Sequence, residues 1–204
     1  TLLRSDLISE IADADGRPTE YRFRNTLIQE VAYNSLLKKR RTLLHRQIAD
    51  ALERLHAHHV DEHLPQLAYH YGRSDNRERA LRYLLRFGDK AAAIYANQDA
   101  MSSYRRALEL LEQADDQPAL TAEVLEKLAD AHGAAGELET ALEFWQAAFG
   151  RYEVLGQLER LAAVHRKMGL HWWGQGDREQ AVKHWQHGLA LLAQEPDNVE
   201  VAFL

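Results

Sequence analysis

Two stretches of the chain forty residues apart, LADAHGAAGELETALEFWQAAF (128–149) and MGLHWWGQGDREQAVKHWQHGL (168–189), carry nearly the same pattern. In each, a small and a bulky residue precede a turn glycine, Gly136 or Gly176, and an alanine, a tryptophan and a second small residue follow it. Small residues let two helix backbones approach, and large residues fill the space between them. Because self-similarity at this period is typical of stacked repeats, the sequence predicts an all-α solenoid of antiparallel helix hairpins.

A third copy, FGDKAAAIYANQDAMSSYRRAL (87–108), keeps most of these spacings but has Tyr95 where the later copies have the turn glycine. We expect Asn97 to make the bend there and to cap the helix that follows. Helix start and stop signals predict the other boundaries. These signals are Asp75 with Glu78 and Asp177 with Gln180 as capping pairs, Pro118 at a helix start and Gly156 at a helix end.

Residues 7–25 are the only stretch with strand character, because aromatic residues and arginines alternate over 21–24 and turn residues stand at 15–18. This pattern predicts a small β-hairpin. Apolar residues at helical spacing then predict one helix over about 27–37, a second over about 40–56 and a short helix from Leu64 to Tyr71.

The composition is that of a folded protein without thiol chemistry, with 46% hydrophobic residues, 27% charged residues and no cysteine. The net charge is −6, and the acidic excess lies in residues 61–204, which carry 15 basic and 23 acidic side chains. That sign disfavours nucleic acid as a partner of the repeats. No apolar run is long enough to span a membrane and no secretory leader is recognisable, so we expect a cytoplasmic protein without a membrane partner. A start at Thr1 and a helical pattern still running over 198–204 also suggest a piece of a longer chain.

The order small residue, large residue, turn, then Ala–x3–aromatic–x2–small resembles the tetratricopeptide repeat (TPR), here lengthened to about forty residues. The resemblance covers copies at about 78–115, 119–155 and 158–194, with a half-repeat at 62–76 and a truncated helix at 198–204. It implies a domain of repeats over 59–204 and a non-catalytic scaffold that binds a protein or peptide in a concave groove.

The segment YRFRNTLIQEVAYNSLLKKRRTLLHRQIADALE (21–53) resembles the junction between a winged-helix end and C-terminal repeats in large signalling ATPases. Such STAND-type ATPases accompany class III adenylate or guanylate cyclase domains or belong to bacterial transcriptional regulators. The family usually has histidine at the position of Asn25. The resemblance implies that residues 1–58 are a winged-helix-like end with linker helices, and that the chain regulates the other domains of such a protein.

In the TPR family the first helix of each pair lines the concave wall. Carried over by register, the resemblance implies nine wall residues: Arg82, Leu85, Asp89, Glu123, Glu126, Asp130, Arg166, Leu170 and Trp173. An exposed tryptophan is a strong anchor for a partner, so we expect Trp173 to point into the groove while Trp172 packs inside. The alternative interpretation is that a further repeat covers Trp173, and that the carboxylates only keep the surface solvated.

A histidine cluster and a basic patch could each form a functional site, and each also has a simpler structural interpretation. His59 and His63 with Glu62 match a zinc-protease pattern, but Pro65 follows closely and no third ligand is identifiable, so we expect a solvated connector and no metal. The basic patch Lys38, Lys39, Arg40 and Arg41 could bind phosphate. We expect it instead at the C-terminal end of the preceding helix, where cations favour the helix dipole, in an interdomain role.

The sequence predicts no enzyme and no cofactor, because it has no phosphate-binding loop and no serine nucleophile on a glycine elbow. Two alternatives to the protein-binding scaffold remain open. One is a sensor that holds a small effector between repeats or at the 56–72 junction, and the other is a module that self-associates through its C-terminal end.

Overall fold

The computed structural model describes residues 7–12, 18–114 and 117–193. Two strands, β1 (Ile8–Ala12) and β2 (Pro18–Phe23), pair antiparallel and precede α1 (Thr26–Ser35) and α2 (Lys38–Leu55). After a 3-10 turn (Val60–His63), the seven further helices of the described chain are α3 (Leu64–Tyr71), α4 (Arg77–Ala93), α5 (Asn97–Glu112), α6 (Pro118–Ala134), α7 (Leu138–Leu155), α8 (Leu158–Gly174) and α9 (Arg178–Leu192).

The last six helices form three hairpins, α4–α5, α6–α7 and α8–α9, and each hairpin packs on the next. Ala100, Ala141 and Ala181 are fully buried where the two helices of each hairpin cross. Gly88 and Gly169 leave space on the first helices for the rings of Tyr104 and Trp185, which a β-carbon would overlap. The predicted all-α solenoid is confirmed, and within the described residues no strand lies beyond Phe23.

The turns within the hairpins share a left-handed residue. Gly136 and Gly176 have φ angles of 81° and 85°, and Tyr95 takes the same conformation with a φ of 58°. The expectation that Asn97 makes the first bend is therefore wrong. Asn97 is the first residue of α5, and no side chain caps that helix.

The capping predictions hold in part. Asp177 accepts from the Gln180 N–H, Pro118 begins α6, and Gly156 ends α7 with a φ of 67°. Asp75 does not cap α4, because the Asn76 side chain accepts from the Arg79 N–H in its place. The Asp75 carboxylate instead pairs with Arg46 of α2 at 3.2 Å.

The N-terminal elements pack more loosely than the hairpins. The β-hairpin is confirmed, and α1 buries none of its residues. Helix α3, predicted as a half-repeat, packs against both α2 and α4. The boundary proposed near residue 58 stays a prediction, and the truncated helix at 198–204 lies outside the described residues. Among the described helices, none is long and apolar enough to cross a membrane.

Candidate partner-binding face

The structure places the nine predicted wall residues on the first helices of the three hairpins, three on each of α4, α6 and α8. Several are half-buried or buried, and Asp89, Glu126 and Asp130 each pair with a lysine of the next hairpin.

Asp89 joins the first two hairpins. Its carboxylate accepts a hydrogen bond from the Tyr104 hydroxyl at 2.7 Å and faces Lys127 Nζ of α6 at 2.8 Å. Burial, together with the bond to Asp89, raises the pKa of the Tyr104 hydroxyl far above its usual value. Tyr104 therefore stays a neutral donor, and Asp89 stays bound to it.

Glu126 and Asp130 make the corresponding link between the second and third hairpins. Lys167 Nζ of α8 lies 2.6 Å from Glu126 and 2.5 Å from Asp130. Tyr152 donates to Glu126 at 2.7 Å, and the Trp145 indole N–H donates to Asp130 at 3.0 Å. Glu126 is only 5% exposed, so its carboxylate links α6, α7 and α8 and is not presented to a partner.

Electrostatics keeps this cluster ionised despite its burial. Burial alone would raise the pKa of Glu126, but the Lys167 charge and the bonds from Lys167 and Tyr152 outweigh it and lower the pKa. Burial would lower the pKa of Lys167, and Asp130 and Glu126 raise it above its usual value. A buried ion pair of this kind stabilises the fold only while both partners are present.

Arg86, Lys127 and Lys167 occupy equivalent positions on α4, α6 and α8, and each reaches back to a carboxylate of the preceding unit. The Arg86 guanidinium lies 2.5 Å from Asp61, which comes before the first hairpin. We call these three pairs the ion ladder. It ties α4, α6 and α8 to one another along the face, and ties α4 to the 3-10 turn before the first hairpin.

Two apolar wall residues on α8 remain open to solvent. Leu170 is 54% exposed and Trp173 is 46% exposed. The Trp173 ring packs beside Trp185, with 5.5 Å between centroids, and the Arg178 guanidinium lies 3.5 Å from its centre. Neighbours on two sides therefore fix the orientation of the Trp173 ring, and part of it still faces solvent.

The polar wall residues are held to different degrees. Arg82 pairs with Glu78 at 3.3 Å on the surface, and Glu123 lies 3.6 Å from Lys127. Arg166 is half-buried, and its carbonyl accepts from the Trp185 indole N–H at 3.4 Å. Leu85, also half-buried, packs against the core. The wall residues most open to solvent are Arg82, the ladder carboxylate Asp89 and the apolar pair on α8.

The basic patch is not where the sequence led us to expect it. Lys38, Lys39, Arg40 and Arg41 form the first turn of α2, and α1 has no basic residue in its last turn. The positive end of the α2 dipole therefore adds to these charges, and no side chain caps the helix. The Arg41 guanidinium donates to the Asn34 side chain at 3.4 Å and lies over the Tyr33 ring.

The histidine cluster near residue 60 has no metal-site geometry. Glu62 and His63 lie in the 3-10 turn and His59 just before it, where they lack the α-helix that the zinc pattern requires. His59 pairs with Glu62 at 3.4 Å in solvent, and His56 stacks on His63. Throughout the described ranges, no group of three or more ligand side chains could hold a metal ion.

Sequence analysis missed a polar cluster between α2, α3 and α4. Glu53 accepts from the Tyr71 hydroxyl at 2.7 Å and from Tyr83 at 2.5 Å, and Arg79 lies 2.7 Å from it. Burial and the Glu53 bond raise the pKa of Tyr83 to about 12. The rings of Tyr71 and Tyr83 stack with 5.2 Å between their centroids. Helical spacing in the sequence could not predict this cluster, because the shared partner Glu53 lies on a different helix.

Comparison with known proteins places the fold. No family model matches the chain. The curated protein "Uncharacterized protein R02095" of Rhizobium meliloti (strain 1021) is 33% identical over 111 residues, which are 54% of this chain and 11% of that protein. The chain thus spans about a tenth of that relative's length.

Two solved structures share the arrangement of helices. Aspartyl phosphate phosphatase F from Bacillus subtilis matches with a TM-score of 0.60 at 15% identity, over 82% of this chain and 44% of its own. A Rap protein complexed with Competence and Sporulation Factor matches with a TM-score of 0.53 at 12% identity, over 83% of this chain and 48% of its own. At these identities the likeness is one of fold, and it supports a TPR-like helical-repeat architecture.

Proposed function

We propose that this chain is a non-catalytic scaffold that binds a protein or peptide on the face formed by α4, α6 and α8. The observation that carries the proposal is the exposed pair Leu170 and Trp173 on a first helix whose neighbours are tied by the ion ladder. An apolar anchor on a preformed surface binds with little ordering of the scaffold, which favours affinity.

The structure of the neighbouring hairpins supports a preformed surface. The ladder carboxylates Asp89 and Asp130 are each held by a lysine and an aromatic donor within the chain, so the wall has a fixed shape before a partner arrives. One similar fold, the Rap protein, was solved in complex with Competence and Sporulation Factor, which supports the idea that such helical repeats hold a second molecule.

We further propose that this scaffold is the regulatory part of a longer cytoplasmic signalling protein, a STAND-type ATPase or a cyclase. The resemblance of residues 21–53 to the junction of such proteins supports this context. The basic patch on α2 would then face another domain of the same chain. Charge reversal at Arg40 and Arg41 in the full-length protein should change its nucleotide-dependent signalling, and unchanged signalling would count against that contact.

A peptide selection tests the binding face directly. Random peptides displayed on phage are selected on the wild-type protein alone, and the enriched peptides are then titrated against the wild type and a Leu170→Asp variant. Leu170 is half-exposed, so the variant should fold, and the new charge should remove the apolar anchor. We expect enriched peptides whose affinity falls at least tenfold for Leu170→Asp, which is a loss of about 1.4 kcal/mol or more.

Val154→Asp is the matched control. Val154 is 88% exposed but lies on α7, a second helix, so its substitution should leave the affinity of the same peptides unchanged. Peptides that bind Leu170→Asp and wild type equally, or that lose binding to Val154→Asp, would contradict the proposed face. Light scattering of the wild-type protein separates self-association from peptide binding.

A further inference from the structure

The carboxylates of the first-helix face are bound within the chain. Lys127 of α6 lies 2.8 Å from Asp89 and 3.6 Å from Glu123. The two carboxylates between the second and third hairpins have Lys167 within 2.6 Å, and Arg160 lies 3.9 Å from one of them. Three cations thus stand among four carboxylates. The acidic excess of the sequence is therefore not presented here as a row of free anions.

The third first helix departs from this acidic pattern. The repeat spacing of forty residues puts Arg166 and Leu170 of α8 at the positions that Glu126 and Asp130 hold on α6. Helix α8 therefore carries a cation and an apolar side chain where α6 carries two carboxylates. Asp130 is the last carboxylate among the nine wall residues, and the exposed pair of Leu170 and Trp173 lies beyond it.

Arg178 brings a further cation to this exposed pair. It is the first residue of α9 and is itself exposed. Its guanidinium carbon lies 3.5 Å from the centre of the Trp173 ring. Leu170 and Trp173 are three positions apart on α8, so they are neighbours on the helix surface. The three side chains Leu170, Trp173 and Arg178 form one surface, which we call the Arg178 patch.

The charge of Arg178 is open to a partner. Stacking on Trp173 uses the flat face of the guanidinium, whereas its N–H donors lie in the plane and stay available. The Arg178 side chain makes no ion pair or hydrogen bond with any residue that the structure describes. The adjacent carboxylates are engaged elsewhere, because Asp177 caps α9 and Glu179 pairs with Lys183 at 2.7 Å. A guanidinium already held on a ring loses little freedom when it binds a carboxylate.

We propose that the partner of this face is an acidic and apolar peptide segment, in which an Asp or Glu side chain binds Arg178 and a neighbouring apolar side chain covers Leu170 and Trp173. This inference rests on the proposed function, since it names the chemistry of the partner at the same face. An extended peptide advances about 3.4 Å per residue, so the acidic residue lies within about two residues of the apolar one. The net charge of the whole chain favours a basic partner, and the Arg178 patch reverses that preference at the α8 end.

The composition of the selected peptides is the first test. The peptides enriched on the wild-type protein are sequenced, and acidic residues close to an apolar residue are counted against the unselected library. We expect Asp and Glu to be enriched at these positions. Enrichment of Lys and Arg in their place would overturn the proposal.

Titration calorimetry then assigns the carboxylate to Arg178. An enriched peptide and a copy with every Asp changed to Asn and every Glu to Gln are made with amidated C-termini, so that side chains are the only carboxylates. We expect Arg178→Gln to weaken the acidic peptide about fivefold, the upper end of the range for an exposed ion pair. The amide copy should bind the wild type and Arg178→Gln alike. Arg178→Lys should recover only part of the loss, because an ammonium lacks the planar fork.

Arg105→Gln is the matched control. Arg105 is also exposed, has no ion pair among the described residues and lies on α5 of the first hairpin. Its substitution removes the same charge and should leave the affinity of both peptides unchanged. An equal loss in Arg105→Gln and Arg178→Gln would show a general charge effect and overturn the proposal.

Two further results separate this proposal from the proposed function. If Arg178→Gln weakens neither peptide, or both equally, while Leu170→Asp still weakens them, the face stands and the acidic partner is wrong. If no peptide distinguishes Leu170→Asp from the wild type, both proposals fall. Because Arg178 is exposed, its variants should fold, and thermal unfolding of each variant checks this before the titrations.

Discussion

Tyr95 takes the left-handed turn conformation that glycine takes in the two later hairpins, and its side chain is 81% exposed. A residue with a β-carbon costs about 1–2 kcal/mol in that conformation, whereas glycine adopts it readily. The later turns could be predicted from their glycines. The first could not, because a tyrosine gives no signal for a positive φ, and Asn97 was the better candidate by residue type alone.

Replacing Tyr95 by glycine should therefore stabilise the protein. The exposed ring loses little packing, so we expect a gain of about 1 kcal/mol and a rise of about 2–4 °C in the midpoint of thermal unfolding. Calorimetry of the variant measures the shift. Gly136→Ala, in open space at a φ of 81°, should move the midpoint in the opposite direction. A lower midpoint for Tyr95→Gly would show that its side chain makes a stabilising contact.

At the scale of the elements, sequence analysis predicted the helices well and their polar links poorly. Small residues such as Ala141 and Gly169 mark the helix crossings because packing depends on local spacing. The link between Glu126 and Lys167 joins residues 41 positions apart on different hairpins. The sequence therefore predicted Glu126 on the partner-binding wall, with a solvated surface carboxylate as the alternative, whereas the residue is buried.

Removing one partner of this link should be strongly destabilising. Lys167→Met leaves Glu126 and Asp130 close together without a cation, and we expect a loss of about 3 kcal/mol in the free energy of unfolding. Urea unfolding of the variant and the wild type measures this loss in free energy. The double variant Glu126→Gln with Lys167→Met should recover part of the loss. Lys183→Met, which removes an exposed lysine, should behave like wild type.

Two histidine pairs between helices make the stability of the fold sensitive to mild acid. His165 and His184 approach to 3.0 Å between their Nδ1 atoms, as do His45 and His70. Burial, and then the neighbouring histidines, lower the pKa of His165 to about 4, and burial, His45 and Arg73 lower that of His70 to about 4. In the unfolded chain each histidine returns to a pKa of about 6.5.

Above pH 6.5 these histidines are neutral in both states, and the contribution of the pairs to stability is complete. As the pH falls toward 4, the unfolded chain takes up protons that the folded chain does not, and stability is lost. We expect the unfolding midpoint to fall by a few degrees between pH 7 and pH 5.

The slope of the unfolding midpoint against pH is the quantity to compare between variants. His70→Asn with His165→Asn should flatten it, whereas His58→Asn, at an exposed position, should not. A midpoint that is constant from pH 7 to pH 5 in the wild-type protein would contradict the environment described for both pairs. The carboxylate Glu126 does not interfere, because its pKa is already lowered and its loss of charge lies at a more acidic pH.

At the scale of the molecule, the repeats arrange three first helices on one face, tie them with the ion ladder and leave Leu170 and Trp173 open at its C-terminal end. The repeat pattern predicted this arrangement of helices because stacking follows from local sequence. The ladder could not be predicted, because it depends on which side chains meet across hairpins.

The proposed function requires a partner to bind the first-helix face. NMR of the labelled protein with a selected peptide tests it most directly, through the indole N–H resonance of Trp173 and the backbone amides of all six hairpin helices. We predict shifts at Trp173 and along α4, α6 and α8, with the buried Trp145 indole little affected. Shifts confined to α5, α7 and α9, with Trp173 unchanged, would contradict the account.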